Sequence, residues 1–467
     1  MKNNDVVILG AGPAGYAAAI RVAQLGGKAT IIERESLGGT CLNRGCVPMR
    51  VFARAVELLE IGRHGKDYGV AFEELPVDFT KLMNRKNIAI KTLVAGVKML
   101  LTGNGVEIME GTARLTGPGQ VSVVAADGAT VPIQTRSVII STGSRCREVP
   151  AGGEGRILDS TTALELKEIP ASLLVVGSGF VGIGFAAVFS RLGAKVTVVE
   201  EGVSMLPGID AEIAGMYERE LTKSKVTYLP GTRIVEMTRR PDGDLDVVLE
   251  SGEKKSTVKV EYLLMAQERE PNLEGLDIRE LGIRTNDKNG IAVNAEMKTN
   301  VAGIYAAGDV TMENMWTPVA YKEGIVAAEN IMGKNTRIDY SAIPYWTNTA
   351  PSVAAVGITE EAARAKGYDV RIGRFSFAGN GMATVLGQRS GLVKVVAEKK
   401  YGELLGVHIL GPNAVELIGQ AAMAIKLELT PEGIGELFYA HPSLSEAFWE
   451  AIRDVQGEAI HCISQGR

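Results

Sequence analysis

A short β-branched run, Val6-Val7-Ile8-Leu9, leads into Gly10-Ala11-Gly12-Pro13-Ala14-Gly15, then a helix-period segment to Leu25, then a second run, Ala29 to Ile32, that ends at Glu33. The same order returns further on. Leu173 to Val176 leads into Gly177-Ser178-Gly179-Phe180-Val181-Gly182, a helical pattern to Leu192, and Val196 to Val199 ending at Glu200. In both copies 17 residues separate the third glycine from the glutamate. A glycine-rich turn in an ordinary βαβ unit explains either copy alone, but two complete copies with one acid spacing predict two dinucleotide seats. In such a seat the first glycine permits the tight turn. The second lets a pyrophosphate approach the helix N-terminus, the third lets helix and strand pack closely, and the acid receives a ribose hydroxyl pair. Two seats in one chain suggest two cofactors that exchange electrons.

Between the copies the pattern predicts helices over 51–63 and 79–101 and short β segments broken by Gly117-Pro118-Gly119 and Asp127-Gly128. A strand is expected through Ser137 to Ile140 into Ser141-Thr142-Gly143, and a domain crossing at 150–155. After Glu200 come a helix from Ala211, hairpins at Asp242-Gly243 and Ser251-Gly252, and a lobe ending near Pro271. Ile304-Tyr305-Ala306-Ala307-Gly308-Asp309 reads as a strand ending in a Gly-Asp pair, with a helix from Val319 beyond it. From about Ile343 the texture becomes α+β, with four expected strands, helices from Asn413 and Ser443, and no glycine fingerprint.

Length and composition narrow the class. At about 150 residues per domain, 467 residues suggest about three domains. The net charge of −5, with no long run of one sign, gives no footprint for nucleic acid or an anionic membrane. Glycine is 55 of 467 residues, about 12% against an average of roughly 7%, in a chain 46% hydrophobic, so it belongs to turns in a cored protein. Four cysteines, Cys41, Cys46, Cys146 and Cys462, are too few for a disulfide scaffold and fit a reducing, cytoplasmic setting. The uncharged stretch 169–190 contains Pro170 and four glycines and reads as a buried strand and turn instead of a membrane span. No metal-ligand pattern stands out.

The chemistry is concentrated in Gly38-Gly39-Thr40-Cys41-Leu42-Asn43-Arg44-Gly45-Cys46-Val47-Pro48, directly after the first seat. Positions five apart in a regular helix place their Cα atoms about 8 to 9 Å apart, whereas a disulfide needs about 4.4 to 6.8 Å. A bonded pair therefore requires a distorted segment, with Gly45 and Pro48 as the means. A small-loop disulfide beside a nucleotide seat is expected to be catalytic; two unrelated buried thiols are the alternative.

At this point the sequence resembles the flavoprotein disulfide reductases (class I pyridine nucleotide-disulfide oxidoreductases), and among them the dihydrolipoamide dehydrogenase group. The resemblance is carried by 10–15, 39–48, Ser141 to Ser144, 177–182, Met205-Leu206-Pro207-Gly208, Arg269 to Asn272, Ala306 to Asp309, and His441-Pro442-Ser443-Leu444-Ser445-Glu446. It implies an α/β chain with two Rossmann-like dinucleotide-binding domains and a C-terminal α+β dimerisation domain. The FAD domain would comprise 1–150 and 273–342, the NAD domain 151–272, and the interface domain 343–467. FAD would rest on Gly10, Gly12 and Gly15, with Glu33 at its ribose, Thr40, Thr142 and Gly143 around it, and Asp309 near its ribityl and phosphate part. NAD would rest on Gly177, Gly179 and Gly182, with Glu200 on the adenosine ribose, where a carboxylate repels a 2'-phosphate. Cys46 would face the flavin and Cys41 would exchange with substrate. His441, oriented by Glu446, would be the acid/base and would serve the other subunit of a homodimer. The implied substrate is a dihydrolipoyl group, free or on a carrier protein.

Other readings of these residues stay open. Ser443 to Glu446 is equally a capping box. His408 reads as a satisfied sheet residue, His64 and His461 as surface groups, and Cys146 and Cys462 as inert thiols. The chain also departs from the family pattern. Met49-Arg50 stands where Ser-Lys is usual, so Arg50 replaces the lysine beside the flavin. Gly184 replaces a glutamate that pairs with that lysine, Glu268 replaces a glycine, and Ser352 replaces a common glutamate. These changes motivate two alternatives: a flavin-bearing electron-transfer or redox-sensing subunit with weak NAD turnover, or a reductase of another disulfide. Mercuric reduction is disfavoured by the missing C-terminal cysteine pair, and single-cysteine oxidases by the presence of both Cys41 and Cys46.

Overall fold

The computed structural model describes residues 3–147, 155–267, 269–347 and 349–463. The expected crossing at 150–155 and Glu268 therefore fall almost wholly outside the described residues. The chain divides into two compact units: one from 1–51, 81–148 and 268–340, the other from 52–80, 149–267 and 341–467.

In the first unit the strand Asn3–Leu9 is flanked in parallel by Ala29–Glu33 and Thr130–Ile140. Glu107–Glu110 extends one edge. Ile304–Ala306 joins Thr130–Ile140 in parallel, and Gln120–Val124 and Thr112–Gly117 continue that side antiparallel. Because strand side chains alternate in direction, Val6 and Ile8 enter one apolar core while Val7 and Leu9 enter the other. Both faces of the sheet are thus covered, which explains why its central strands are continuously apolar. A small pair of strands, Ser144–Cys146 and Arg269–Pro271, was not expected. Each is too short for periodicity to register.

In the second unit a parallel sheet runs Thr227–Leu229, Lys195–Val199, Ser172–Val176, Tyr262–Met265, Ile157–Leu158. Three antiparallel strands, Arg233–Arg239, Leu245–Ser251 and Lys254–Val260, follow the two expected hairpin turns. The C-terminal part is an antiparallel sheet ordered Pro344–Trp346, Ser352–Gly357, Leu404–Gly411, Leu392–Glu398, Val370–Ser376. The helices Ala414–Lys426 and Ser445–Asp454 bury their apolar faces in the core of this part. A charged network fastens it to the start of the helix Ala211–Lys223. Buried Lys394 lies 2.9 Å from both Asp210 and Glu360 and 3.2 Å from Glu212. His408, fully buried, accepts from the Asp210 N–H through Nδ1 and meets the Ile358 carbonyl through Nε2. It is the satisfied sheet histidine that its alternation suggested.

Among the described residues no helix is long and apolar enough to cross a membrane. The stretch 169–190 holds the strand Ser172–Val176 and the start of the helix Phe180–Leu192.

Candidate active site

The two glycine turns are built alike. Gly10 and Gly177 have φ of +98° and +100°, a region that side chains rarely adopt. A Cβ on Gly15 would lie 1.9 Å from the Gly10 carbonyl oxygen, and one on Gly182 would lie 2.0 Å from that of Gly177. The first and third glycines are thus required by the protein's own packing. The middle ones are not: a Cβ on Gly12 would meet only Gly39 Cα, at 3.9 Å, and one on Gly179 would meet nothing within 4 Å. Those positions open a cradle at a helix N-terminus, of the form a pyrophosphate needs. Glu33 accepts from the Ala11 N–H at 2.7 Å and the Glu35 N–H at 2.9 Å. Glu200 accepts from the Ser178 N–H and hydroxyl, both at 2.8 Å, and the Gly202 N–H at 2.9 Å. Burial pushes the Glu200 carboxyl up, but these donors outweigh it and hold the group below the usual range.

The redox segment begins where the first turn ends. Gly38 donates its N–H to the Ala11 carbonyl, and Gly39 comes so close that a Cβ on it would lie 2.7 Å from Gly12 Cα. The short helix Gly39–Arg44 holds Thr40 in its first turn and Cys41 behind it. Gly45, at φ −144° and ψ −108°, breaks that helix, and a new one, Cys46–His64, opens at the second cysteine. This break is the distortion that the five-residue spacing demands, and it starts the expected helix five residues early. Pro48 is tolerated because it sits in the first turn.

Cys41 and Cys46 are free thiols whose side chains hydrogen-bond to each other. The bond from Cys41 lowers the affinity of Cys46 for its proton, burial opposes this, and the Thr317 hydroxyl, 3.6 Å from the sulfur, adds to it. The Cys46 thiol is therefore held down, as a helix N-terminus also favours. Cys41 is pushed up by the bond it gives Cys46, by burial and by the nearby Cys46 and Asp309 charges, against a smaller downward pull from its hydrogen bond with the Thr317 hydroxyl. Arg50 stands one turn after Cys46 on the same helix, exposed to solvent.

Around Asp309 a second set of contacts closes. Ser144 donates its hydroxyl to Asp309 at 2.7 Å, and Arg269 donates to the Ser144 hydroxyl and carbonyl. Thr142 donates to the Asn272 carbonyl at 2.6 Å, while the Asn272 N–H donates to Gly143. The Arg269–Asn272 run is thereby fixed to 142–144. Gly308 donates its N–H at 2.6 Å to Glu323, which also receives the Tyr340 hydroxyl. Burial pushes the Glu323 carboxyl up to about 7.

His441 and Glu446 lie in the other unit. His441 Nδ1 is 2.8 Å from Glu446 Oε1, while Glu446 Oε2 accepts from the Ser443 N–H at 2.7 Å. The carboxylate thus touches both the imidazole and the backbone ahead of the helix Ser445–Asp454, but the reciprocal half of a capping box is missing: among the described residues the Ser443 hydroxyl has no hydrogen-bond partner and no side chain caps the helix. The His441 side chain is 78% exposed and presents its ring to solvent. His461 is exposed, as expected of a surface group, and its Nδ1 lies 2.5 Å from the buried Glu450, one turn after Glu446. Cys146 lies 3.3 Å from the Arg269 guanidinium, and Cys462 packs at the rim of the C-terminal core. His64 is exposed, with Asp67 beside it. Thr317, Glu323, Tyr340 and the Glu450–His461 pair were missed by the sequence reading. Each meets its partner through the fold and carries no local motif.

These features define a flavin- and nicotinamide-type disulfide oxidoreductase, and the chain belongs to the pyridine nucleotide-disulphide oxidoreductase family, whose model matches residues 4–324. The dimerisation domain of that family matches residues 343–452. The chain is 38% identical to dihydrolipoyl dehydrogenase 2, mitochondrial, of Arabidopsis thaliana over 98% of its length and 92% of the relative's. It is 37% identical to the Bacillus subtilis dihydrolipoyl dehydrogenase, over 98% and 99% respectively. Among solved structures, LpdA of Mycobacterium tuberculosis superposes with a TM-score of 0.90 at 29% identity, covering 97% of this chain and 99% of that one. The HOCl-induced flavoprotein disulfide reductase RclA of Escherichia coli superposes with a TM-score of 0.86 at 26% identity, covering 97% and 100%. The protein is an FAD-dependent, NAD-linked disulfide oxidoreductase, and its dimerisation domain supports a homodimer.

Proposed function

We propose that the enzyme oxidises a dihydrolipoyl dithiol, free or on a carrier protein, with NAD as acceptor. The observation that carries this is the Cys41/Cys46 pair, placed on a broken helix beside the first glycine turn with unlike proton affinities. Relatives similar over nearly the whole chain bear the name dihydrolipoyl dehydrogenase. FAD takes Gly10, Gly12, Gly15, Glu33, Thr40, Thr142, Gly143 and Asp309; NAD takes Gly177, Gly179, Gly182 and Glu200. We divide the chain accordingly into 1–150 with 273–342 for FAD, 151–272 for NAD and 343–467 for the interface, and place it in a reducing, cytoplasmic compartment.

One substrate thiolate attacks Cys41 Sγ of the oxidised pair; the Cys41–Cys46 bond breaks and Cys46 leaves as a thiolate. His441, its Nδ1 turned to Glu446, takes the proton of the second substrate thiol. That sulfur attacks the substrate sulfur joined to Cys41, closing the substrate disulfide and releasing Cys41 with the electron pair. FAD, held at the first glycine turn, would supply the two-electron relay between the dithiol and NAD. A steady-state assay with dihydrolipoamide and NAD tests this. Fast turnover is expected, and negligible turnover with retained disulfide reduction would favour another disulfide substrate. The second reading, an electron-transfer or redox-sensing subunit, draws on Arg50 and Gly184 and expects slow hydride exchange with NAD.

A further inference from the structure

Two phenols meet between the helix that follows the first glycine turn and the helix that begins at Thr317. Tyr16, on the helix Pro13–Gln24, donates its hydroxyl at 2.6 Å to that of Tyr321, on the helix Thr317–Ile331. The rings meet edge to face, with centroids 5.6 Å apart and planes at 61°. Their placement follows from the packing of the two helices. A Cβ on Gly324 would lie 2.1 Å from the Ala14 carbonyl oxygen, so the helices touch backbone to backbone. Thr317 opens the second helix with its hydroxyl 3.6 Å from Cys46 Sγ. Tyr321 is one turn further on the same face, which puts the phenol pair on the cysteine side of that helix. Burial is the first cause that pushes both phenols up, and the charge of Cys41 pushes both further, so both keep their protons at working pH. Tyr16 spends its proton on Tyr321. Tyr321 accepts there and still has its own proton to give, and a hydroxyl that accepts one bond donates the next more strongly.

We propose that Tyr321, backed by Tyr16, joins the Thr317 hydroxyl as a hydrogen-bond donor that stabilises Cys41 as it leaves as a thiolate, acting from the same subunit as the disulfide. The inference rests on the reading of Cys41 as the exchange thiol. In the step concerned, the second substrate sulfur, deprotonated by His441, forms the substrate S–S bond; the bond from substrate sulfur to Cys41 breaks, and its electron pair stays on Cys41. The Tyr321 hydroxyl donates to that anion and keeps its own proton. The proton held by His441 then protonates Cys41, or is released while the electrons move on.

The test uses the FAD-loaded dimer reduced by two electrons, alkylated with iodoacetamide across a pH series and mapped by peptide mass spectrometry. Wild type should be labelled at Cys41. Tyr321→Phe keeps the ring but loses the donor, and should raise the apparent pKa of Cys41 labelling by about one unit, a shift of the size hydrogen bonding to a charged form gives. Tyr16→Phe leaves Tyr321 in place and should shift it less, in the same direction. Dithiol oxidation should slow about tenfold in Tyr321→Phe, matching the lost unit of proton affinity. A Cys41 profile unmoved or moved downward in both variants, with flavin content normal, overturns the donor role. Labelling of wild type at Cys46 in place of Cys41 instead overturns the underlying assignment of the two thiols, so the two failures are told apart. Should Tyr321→Phe lose flavin, Tyr16→Phe alone decides: an unmoved profile there rejects the relay.

Discussion

The two glycine turns share their backbone but differ in what stands over them. Above the first, the chain returns at once: Gly38 bonds to Ala11, and Gly39 Cα lies 3.9 Å from where a Gly12 side chain would begin. Above Gly179 no described residue comes within 4 Å of that point. A seat that the chain closes over suits a group that stays, and an open seat suits one that arrives and leaves with each turnover. The fingerprint is the same in both; on the proposed assignment of FAD to the first and NAD to the second, the segment that follows it is what would separate resident cofactor from exchanging cosubstrate.

The largest expected effect breaks this comparison if it is wrong. Gly12→Val fills the closed seat and should yield protein without flavin and with a lowered Tm. Gly179→Val should purify fully yellow, with the NADH KM raised at least about tenfold, the equivalent of about 1.4 kcal/mol. Flavin content read from the visible spectrum decides, and equal flavin loss in both variants would mean that the seats do not differ in this way.

On the proposed mechanism His441 belongs to neither seat and would be a probe of the thiol half alone. His441→Ala should slow dithiol oxidation by about 10²- to 10⁴-fold, the range for a positioned acid/base, while stopped-flow reduction of the flavin by NADH stays near wild type. A loss below tenfold would remove His441 from the exchange step. Glu446→Gln should be milder, because an amide oxygen can still accept from the imidazole.

The strand, glycine turn and helix around Gly177, Gly179 and Gly182 were legible in the sequence, because these elements are local and the acid spacing is fixed. The redox break was legible too, since five-residue spacing conflicts with a regular helix. What stayed hidden joins residues far apart in the chain. Tyr16 meets Tyr321 across 305 positions, and Cys46 meets Thr317 across 271. The strands Ser144–Cys146 and Arg269–Pro271 exist only because they pair with each other. Glu450, buried in a helix of otherwise plain amphipathic pattern, gains its meaning from a C-terminal histidine that no motif marks.

Glu200 sharpens the comparison by pH. Its folded pKa is lowered by Gly202 and Ser178 against the push of burial. Its contribution to stability is therefore present above the ordinary glutamate value and lost as pH falls through the lower folded one. The Tm gap between wild type and Glu200→Gln should be visible at pH 7 and close as the solution is acidified below about pH 4. The same variant should improve the NADPH-to-NADH rate ratio, because the charge that repels a 2'-phosphate is gone. A Tm gap that widens with acid would reverse the assigned sign.

The smallest expected effect concerns the flavin's electronics. On the resemblance to the disulfide reductases, Arg50 stands where a lysine lies by the flavin and Gly184 where that lysine's partner acid would be. A guanidinium is charged at every working pH and is not interchangeable with an ammonium. With no acid at position 184, this charge should favour the anionic reduced flavin and raise its potential. About 30 mV corresponds to about 1.4 kcal/mol for a two-electron couple, so one modest charge effect is measurable by equilibration with a reference dye. Gly184 is buried but has room for a Cβ. It lies in the helix Phe180–Leu192, and a Cβ there would meet nothing within 4 Å. Gly184→Glu should lower the flavin potential and speed NAD-dependent turnover, with a further gain when Arg50→Lys is added. Non-additivity in that double-mutant cycle would show that the two positions are coupled. Unchanged potential and hydride-transfer rate in both single variants and the double would mean that Arg50 does not tune the flavin, and that the open space at Gly184 serves only the packing of its helix.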